Sequence, residues 1–261
     1  MSTRGVVDLL LCIDASQSMG PCFDGVRQHL SNFVAGLESG NQQQSLDLRV
    51  DYLAHSCGTN GPFRGESLRL SGVELVQSLY AGKHDANGGA SSDFFMTDMS
   101  AIQKGLASVE VAGDEAPLIA LDLALDFPWR PRQTCHRVLV MMSDEPFESG
   151  TGMGTANSSL HGQANRLNDI IDKCHALGVM LFLVTPESDM YSELSLVNKC
   201  QYKAVAGSGD GLKTIDFAEV LAQIGKSVSV ASLQSVGDKH VKRALFGQNE
   251  WGSSSEPLRG A

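Results

Sequence analysis

Val6-Val7-Asp8-Leu9-Leu10-Leu11-Cys12-Ile13-Asp14-Ala15-Ser16-Gln17-Ser18-Met19-Gly20 is the stretch on which the reading of this chain turns. It opens as a short apolar run interrupted only by Asp8, which is how a strand buried on both faces of a parallel sheet reads. The run stops at a carboxylate followed by two hydroxyls at alternate positions, just before a helix expected from about Pro21. Two further apolar runs, at 138–142 and 179–184, have the same character. Residues 46–52 alternate apolar and polar with period two instead, which predicts a half-exposed strand.

Helical patterns lie between these runs. Phe23, Val26, Leu30, Phe33 and Leu37 keep one apolar face through 3.6-residue spacing. Leu118, Leu121 and Leu125 do the same, with Asp122 and Asp126 on the opposite face. A third helix is expected over 165–176, stopped by Gly178, and a last one over about 217–228. Strands alternating with such helices predict βαβ units: an α/β, Rossmann-like fold with a central, mostly parallel sheet and helices on both faces.

Two regions depart from the pattern. Residues 59–93 read as an insertion, a hairpin or short helix around 67–80 ending in a mobile loop that holds Gly82, Gly88 and Gly89. The period there decides neither. From about Gln234, Gly, Ser and charge replace periodicity, so 1–232 is expected to be one domain and 233–261 a C-terminal tail. In that tail Lys239, Lys242 and Arg243 surround Val241, Ala244, Leu245 and Phe246, as a final helical turn or a docking segment would.

Composition limits the function. With 20 basic and 30 acidic residues the 261-residue chain carries a formal charge of −10, which argues against binding nucleic acid through phosphate neutralisation. Hydrophobic residues make up 42%, enough for a core and too many for a disordered chain. No apolar run approaches the roughly 20 residues a membrane helix needs. The N-terminal residues lack the apolar stretch of an export signal. The six cysteines show no C-x-x-C spacing, so reduced thiols and a cytoplasmic location are expected. Cys12 and Cys174 sit where buried apolar filler is expected. His55-x-Cys57 has no second ligand pair to complete a metal site.

The chemistry is expected beyond the carboxyl ends of the strands, where open α/β sheets bind ligands. Asp14, Ser16 and Ser18 would direct three oxygens into that crevice, the donor set that hard divalent cations take. Asp and Ser are also favoured turn and cap residues, so the run by itself leaves both readings open.

Asp14-x-Ser16-x-Ser18 followed by Met19-Gly20 resembles the first motif of the metal-ion-dependent adhesion site of von Willebrand factor A (vWA) domains. The resemblance extends over about 6–232 and implies that Asp14 holds metal-bound water while Ser16 and Ser18 coordinate directly. It also implies a Thr in the loop before a mid-chain helix and an Asp at the end of the next buried strand. Asp144, closing the run Val138-Leu139-Val140-Met141-Met142-Ser143-Asp144, suits the last position. The loop Val111-Ala112-Gly113-Asp114-Glu115-Ala116-Pro117 has no Thr. In this the chain resembles the vWA subset carrying Gly-Gly-Asp there, known from bacterial and kinase-linked proteins, as do Trp129-Arg130 and Asp144-x-Pro146. Asp114 takes the Thr position on this reading, with Glu115 as the alternative, although Asp114 equally suits a helix cap.

The resemblance implies Mg²⁺ or Mn²⁺ as cofactor, since oxygen ligands suit both. It also implies a non-enzymatic scaffold or adaptor whose protein partners include a kinase, phosphatase or ATPase, with neither nucleic acid nor membrane among them. A structural subunit with a merely stabilising or vestigial site, and a Mg²⁺-dependent phosphohydrolase, are the competing readings. Against the phosphohydrolase, an aspartyl nucleophile at Asp14 would want a second Asp two residues on, where Ser16 stands. No P-loop, nucleophile elbow or paired-histidine motif is present. Gly225-Lys226-Ser227 lacks the first glycine of a P-loop, and the glycines at 207–211 follow no suitable strand.

Overall fold

The computed structural model describes residues 6–44, 47–56, 68–70, 73–79, 94–109, 111, 117–145, 163–206 and 212. The strands are β1 (Val6–Asp14), β2 (Asp47–Ser56), β3 (Leu68–Leu70), β4 (Val73–Leu79), β5 (His136–Met142), β6 (Met180–Pro186) and β7 (Cys200–Val205). They form one sheet in the order β3-β4-β2-β1-β5-β6-β7. The five strands from β2 to β7 in that order run parallel. An antiparallel β3–β4 hairpin adds to the β2 side. The helices are α1 (Gly20–Gln44), α2 (Met99–Ala107), α3 (Pro117–Leu125), α4 (Gln163–Leu177) and α5 (Asp189–Leu194).

Central position explains why β1 reads as an apolar run: it pairs with β2 on one side and β5 on the other, and both its faces are covered. Val7, Leu9, Leu11 and Ile13 pack with Phe23, Val26 and Leu30 of α1 and with Ile102 and Leu106 of α2. Leu10 and Cys12 face the other way, toward Leu118 and Leu121 of α3 and Ile170 and Cys174 of α4. The architecture is therefore α/β and Rossmann-like, with helices on both faces of a mostly parallel sheet. Gly178 ends α4 as expected, at φ +66°, where its own amide and that of Val179 donate back to the Cys174 carbonyl.

Two expectations are corrected or decided. β2 is exposed only at its start, where Asp47 is exposed and Arg49 partly so; beyond that it lies inside the sheet, and Asp51 is fully buried and accepts from the amides of Tyr52 and Phe95, each at 2.9 Å. The second bond holds Phe95 at φ +57°, with its ring 4.7 Å from Trp129 and beneath the Arg49 guanidinium. Residues 68–70 and 73–79 pair as antiparallel strands, so the hairpin rather than the helix is what this region supplies. α5 and β7 complete the fold without having been expected, the first being six residues long and the second only half buried.

Asp8, the one charge within the first apolar run, is fully buried at the N-terminal end of β1. It accepts two bonds from the Arg49 side chain, at 2.8 and 2.7 Å, and two from Arg130, one through its backbone amide and one through its side chain, both at 2.8 Å. Burial alone would raise the Asp8 carboxyl, but these bonds and the two charges outweigh it and hold it below the ordinary range. Trp129-Arg130 thus ties the loop after α3 to the base of β1, with the Trp129 indole donating to the Ala124 carbonyl.

The helix expected at 217–228, the loop at 81–89 and the tail at 233–261 lie outside the described residues. Among the described residues no helix is long and apolar enough to cross a membrane.

Candidate metal centre at the carboxyl ends of β1 and β5

β1 delivers Asp14 to the carboxyl edge of the sheet, where the parallel ladder continues one step further through Ala15, whose amide donates to the His55 carbonyl at 2.7 Å. The chain then turns through Ser16 into a short 3-10 turn, Gln17–Met19, and on into α1. One Asp14 oxygen closes this turn by accepting the Ser16 amide at 2.8 Å. Ser16 stands at the cap position of the 3-10 turn, yet its side chain caps nothing. Its Oγ lies 2.9 Å from Ser18 Oγ, and Ser18 Oγ donates to Asp144 Oδ1 at 2.9 Å. Ser18 has one proton and uses it on Asp144, so it accepts from Ser16.

Asp144 reaches the same place from β5, two residues beyond Met142. Between them Ser143 donates its hydroxyl to Asp14 Oδ2 at 2.7 Å, and its amide extends the β5–β6 ladder to the Val184 carbonyl. Four expected site residues, Asp14, Ser16, Ser18 and Asp144, are thus linked through hydroxyls although 126 positions separate Ser18 from Asp144. Asp114 and Glu115 lie outside the described residues.

Both carboxylates are fully buried. Burial pushes Asp14 up against the bonds from Ser143 and Ser16. Burial first, and then the neighbouring Asp14 charge, push Asp144 up to about 6 against the bond from Ser18. Asp144 Oδ2 is buried with no hydrogen-bond partner, and no ion pair to either carboxylate is present among the described residues. Two acidic groups that repel each other, one with an orphaned oxygen, are the donor set a divalent cation would satisfy. Among the described residues no group of three or more His, Cys, Asp or Glu side chains gathers for a metal, so the hydroxyls of Ser16 and Ser18 would have to contribute.

Sequence reasoning gave no role to two neighbours. Ser143 contacts Asp14 directly, and the only hint was a hydroxyl between a buried strand and its terminal Asp. His55 is the register partner of Asp14 on β2 and is fully buried, with neither ring nitrogen hydrogen-bonded among the described residues. Burial pulls its imidazole down to about 3, so it is neutral. Cys57, and the glycine-rich stretches at 207–211 and 225–227 weighed as enzyme motifs, lie outside the described residues.

No protein-family model and no curated protein matches the sequence. Among solved structures the fold is similar to proximal thread matrix protein 1 from the mussel byssus, at 11% identity and a TM-score of 0.51, covering 85% of this chain and 48% of that one. Another structure of that protein gives 13% identity and a TM-score of 0.48, covering 84% and 47%. A von Willebrand factor type A structure from Catenulispora acidiphila gives 14% identity and a TM-score of 0.42, covering 85% and 43%. The chain spans about half the length of the structures it matches. Identities this low speak to the fold alone. What is shared is a Rossmann-type α/β sheet, and the chemistry at its strand ends rests on this chain's own residues.

Proposed function

We propose that the carboxyl edge of β1 and β5 is a divalent-cation site and that the chain works as a non-enzymatic protein-interaction module, a scaffold or adaptor within a larger assembly. The observation that carries this reading is the orphaned, buried Asp144 Oδ2 beside a second buried carboxylate, Asp14. Asp14, Ser16, Ser18 and Asp144 would hold Mg²⁺ or Mn²⁺, and Asp114 would complete the set from the loop before α3. The ion would neutralise the paired carboxylates and fix the two strand-end loops as a surface for a protein partner. With Asp114 included, three carboxylates against a divalent ion leave one net negative charge, so partner affinity would depend little on a bridging acidic side chain. The resemblance of Asp14-x-Ser16-x-Ser18 to the vWA adhesion motif supports a binding role, and a kinase, phosphatase or ATPase is the partner class we infer.

Support for a non-enzymatic role comes from the hydroxyls. Ser16 pairs with Ser18, and the carboxylates to which Ser18 and Ser143 donate are, on this reading, the ligands of the cation, which would occupy them in place of a role as bases. The test is a pull-down by the full chain with and without EDTA, repeated with Asp14→Ala. The reading expects Mg²⁺ to restore the captured partner to the wild type and not to the variant. Partner binding indifferent to both chelation and Asp14→Ala would leave a structural subunit. Phosphoester turnover abolished by Asp14→Asn would leave a hydrolase.

A further inference from the structure

We infer that Ser143 is a positioning residue for the cation site: its hydroxyl orients the Asp14 carboxylate and ties the tip of β1 to the loop that carries Asp144. The inference rests on the cation reading given above and deepens it. A hydroxyl has one proton, and at 2.7 Å from Asp14 Oδ2 it is committed there, the 3.3 Å approach to the Glu145 carbonyl being much the longer. In the other direction Ser143 Oγ accepts from the Glu145 amide at 3.4 Å. The Ser143 amide is itself fixed to Val184 on β6. One residue therefore connects the ends of β1, β5 and β6 next to the acidic pair.

The consequence for Asp14 is a fixed carboxylate plane. One oxygen holds the Ser16 amide and the other the Ser143 hydroxyl, and each keeps a second lone pair for a ligand. Without the hydroxyl, rotation of the Asp14 carboxylate is checked from one side only, and binding a cation has to restore its orientation. Groups that orient metal ligands from behind typically change affinity by about 10- to 100-fold when removed.

Calorimetric Mg²⁺ titration of the full chain tests this, alongside melting of the metal-free protein. Ser143→Ala is expected to weaken Mg²⁺ binding at least about tenfold, while Ser143→Thr, which keeps the hydroxyl, stays within about threefold of wild type. If Ser143→Ala does not fold, Ser143→Cys, similar in size and a weak donor, is expected to show the same loss. A lower melting temperature with unchanged Mg²⁺ affinity would reduce Ser143 to a structural hydrogen bond and overturn the inference. Equal weakening by Ala and Thr would also overturn it, since the hydroxyl would not be the cause. A wild-type chain that binds no Mg²⁺ overturns the cation reading and this inference together, whereas a wild type that binds while Ser143→Ala binds equally well overturns this inference alone.

Discussion

Asp8 and Asp14 are buried carboxylates at opposite ends of one strand, and their surroundings push them in opposite directions. Asp8 meets two guanidinium groups and is held down; Asp14 is pushed up by its burial, against the bonds from Ser143 and Ser16. A group whose folded pKa is depressed stabilises the fold above its unfolded value, near 3.9, and loses that contribution as pH falls through the folded value. Asp8→Asn is therefore expected to cost about 3 kcal/mol near neutral pH, the lower end for a broken buried pair because Arg49 and Arg130 can rehydrate. The gap between wild-type and variant melting temperatures should narrow as the pH is taken below about 4. A gap that stays constant down to pH 2 would show that the charge of Asp8 is not what matters. At the proposed cation site, Asp114→Thr removes one of the three carboxylates inferred for it and is expected to weaken Mg²⁺ binding. Unchanged or tighter binding by calorimetry would exclude Asp114 from the site.

Elements were legible where burial was uniform. β1, β5 and β6 announce themselves because strands covered on both faces leave an unbroken apolar run, and Gly178 marks the stop of α4 because only a left-handed residue closes that turn. β2 was misjudged at Asp51 because its alternating charges look solvated in one dimension, whereas Asp51 is buried and bonded to the Phe95 amide and Arg49 is turned onto Asp8. β7 mixes Lys203 and Gln201 with apolar residues because, among the described strands, it is flanked by β6 on one side only, and such an edge carries no clear period. Docking of α2 depends on a glycine for which no pattern exists. A Cβ at Gly105 would meet the Tyr52 ring at 2.9 Å, and that tyrosine is fully buried. Gly105→Ala, favourable by about 1 kcal/mol in a free helix, is expected to destabilise the protein by about 1–3 kcal/mol in urea melts. An equally stable or more stable variant would mean that α2 rides higher on the sheet than described.

For the molecule as a whole, the candidate site could be read from sequence in its ends and not in its connections. The D-x-S-x-S run and the Asp after the second buried run were visible because each sits at a strand terminus. That Ser18 binds Asp144, and that Ser143 binds Asp14, depends on β1 and β5 being neighbours, which comes from the sheet order rather than from either segment. If the site takes a cation, binding is coupled to folding. Mg²⁺ at a hundred times its dissociation constant stabilises the native state by about 2.7 kcal/mol, or roughly 5–10 °C in melting temperature for a chain of this size. The shift should vanish in Asp14→Ala and on EDTA addition, and its absence from the wild type would remove the cation from the account.

β1 is held at both ends, by the Arg49–Arg130 grip on Asp8 and by the Ser16–Ser143 grip on Asp14, about 20 Å apart at some 3.3 Å per residue. A strand fastened in this way is a tie-rod. Force applied at the tip is carried lengthwise into the arginine anchor and sideways into β2 and β5, so a partner pulling on the carboxyl edge loads the middle of the sheet before its margins.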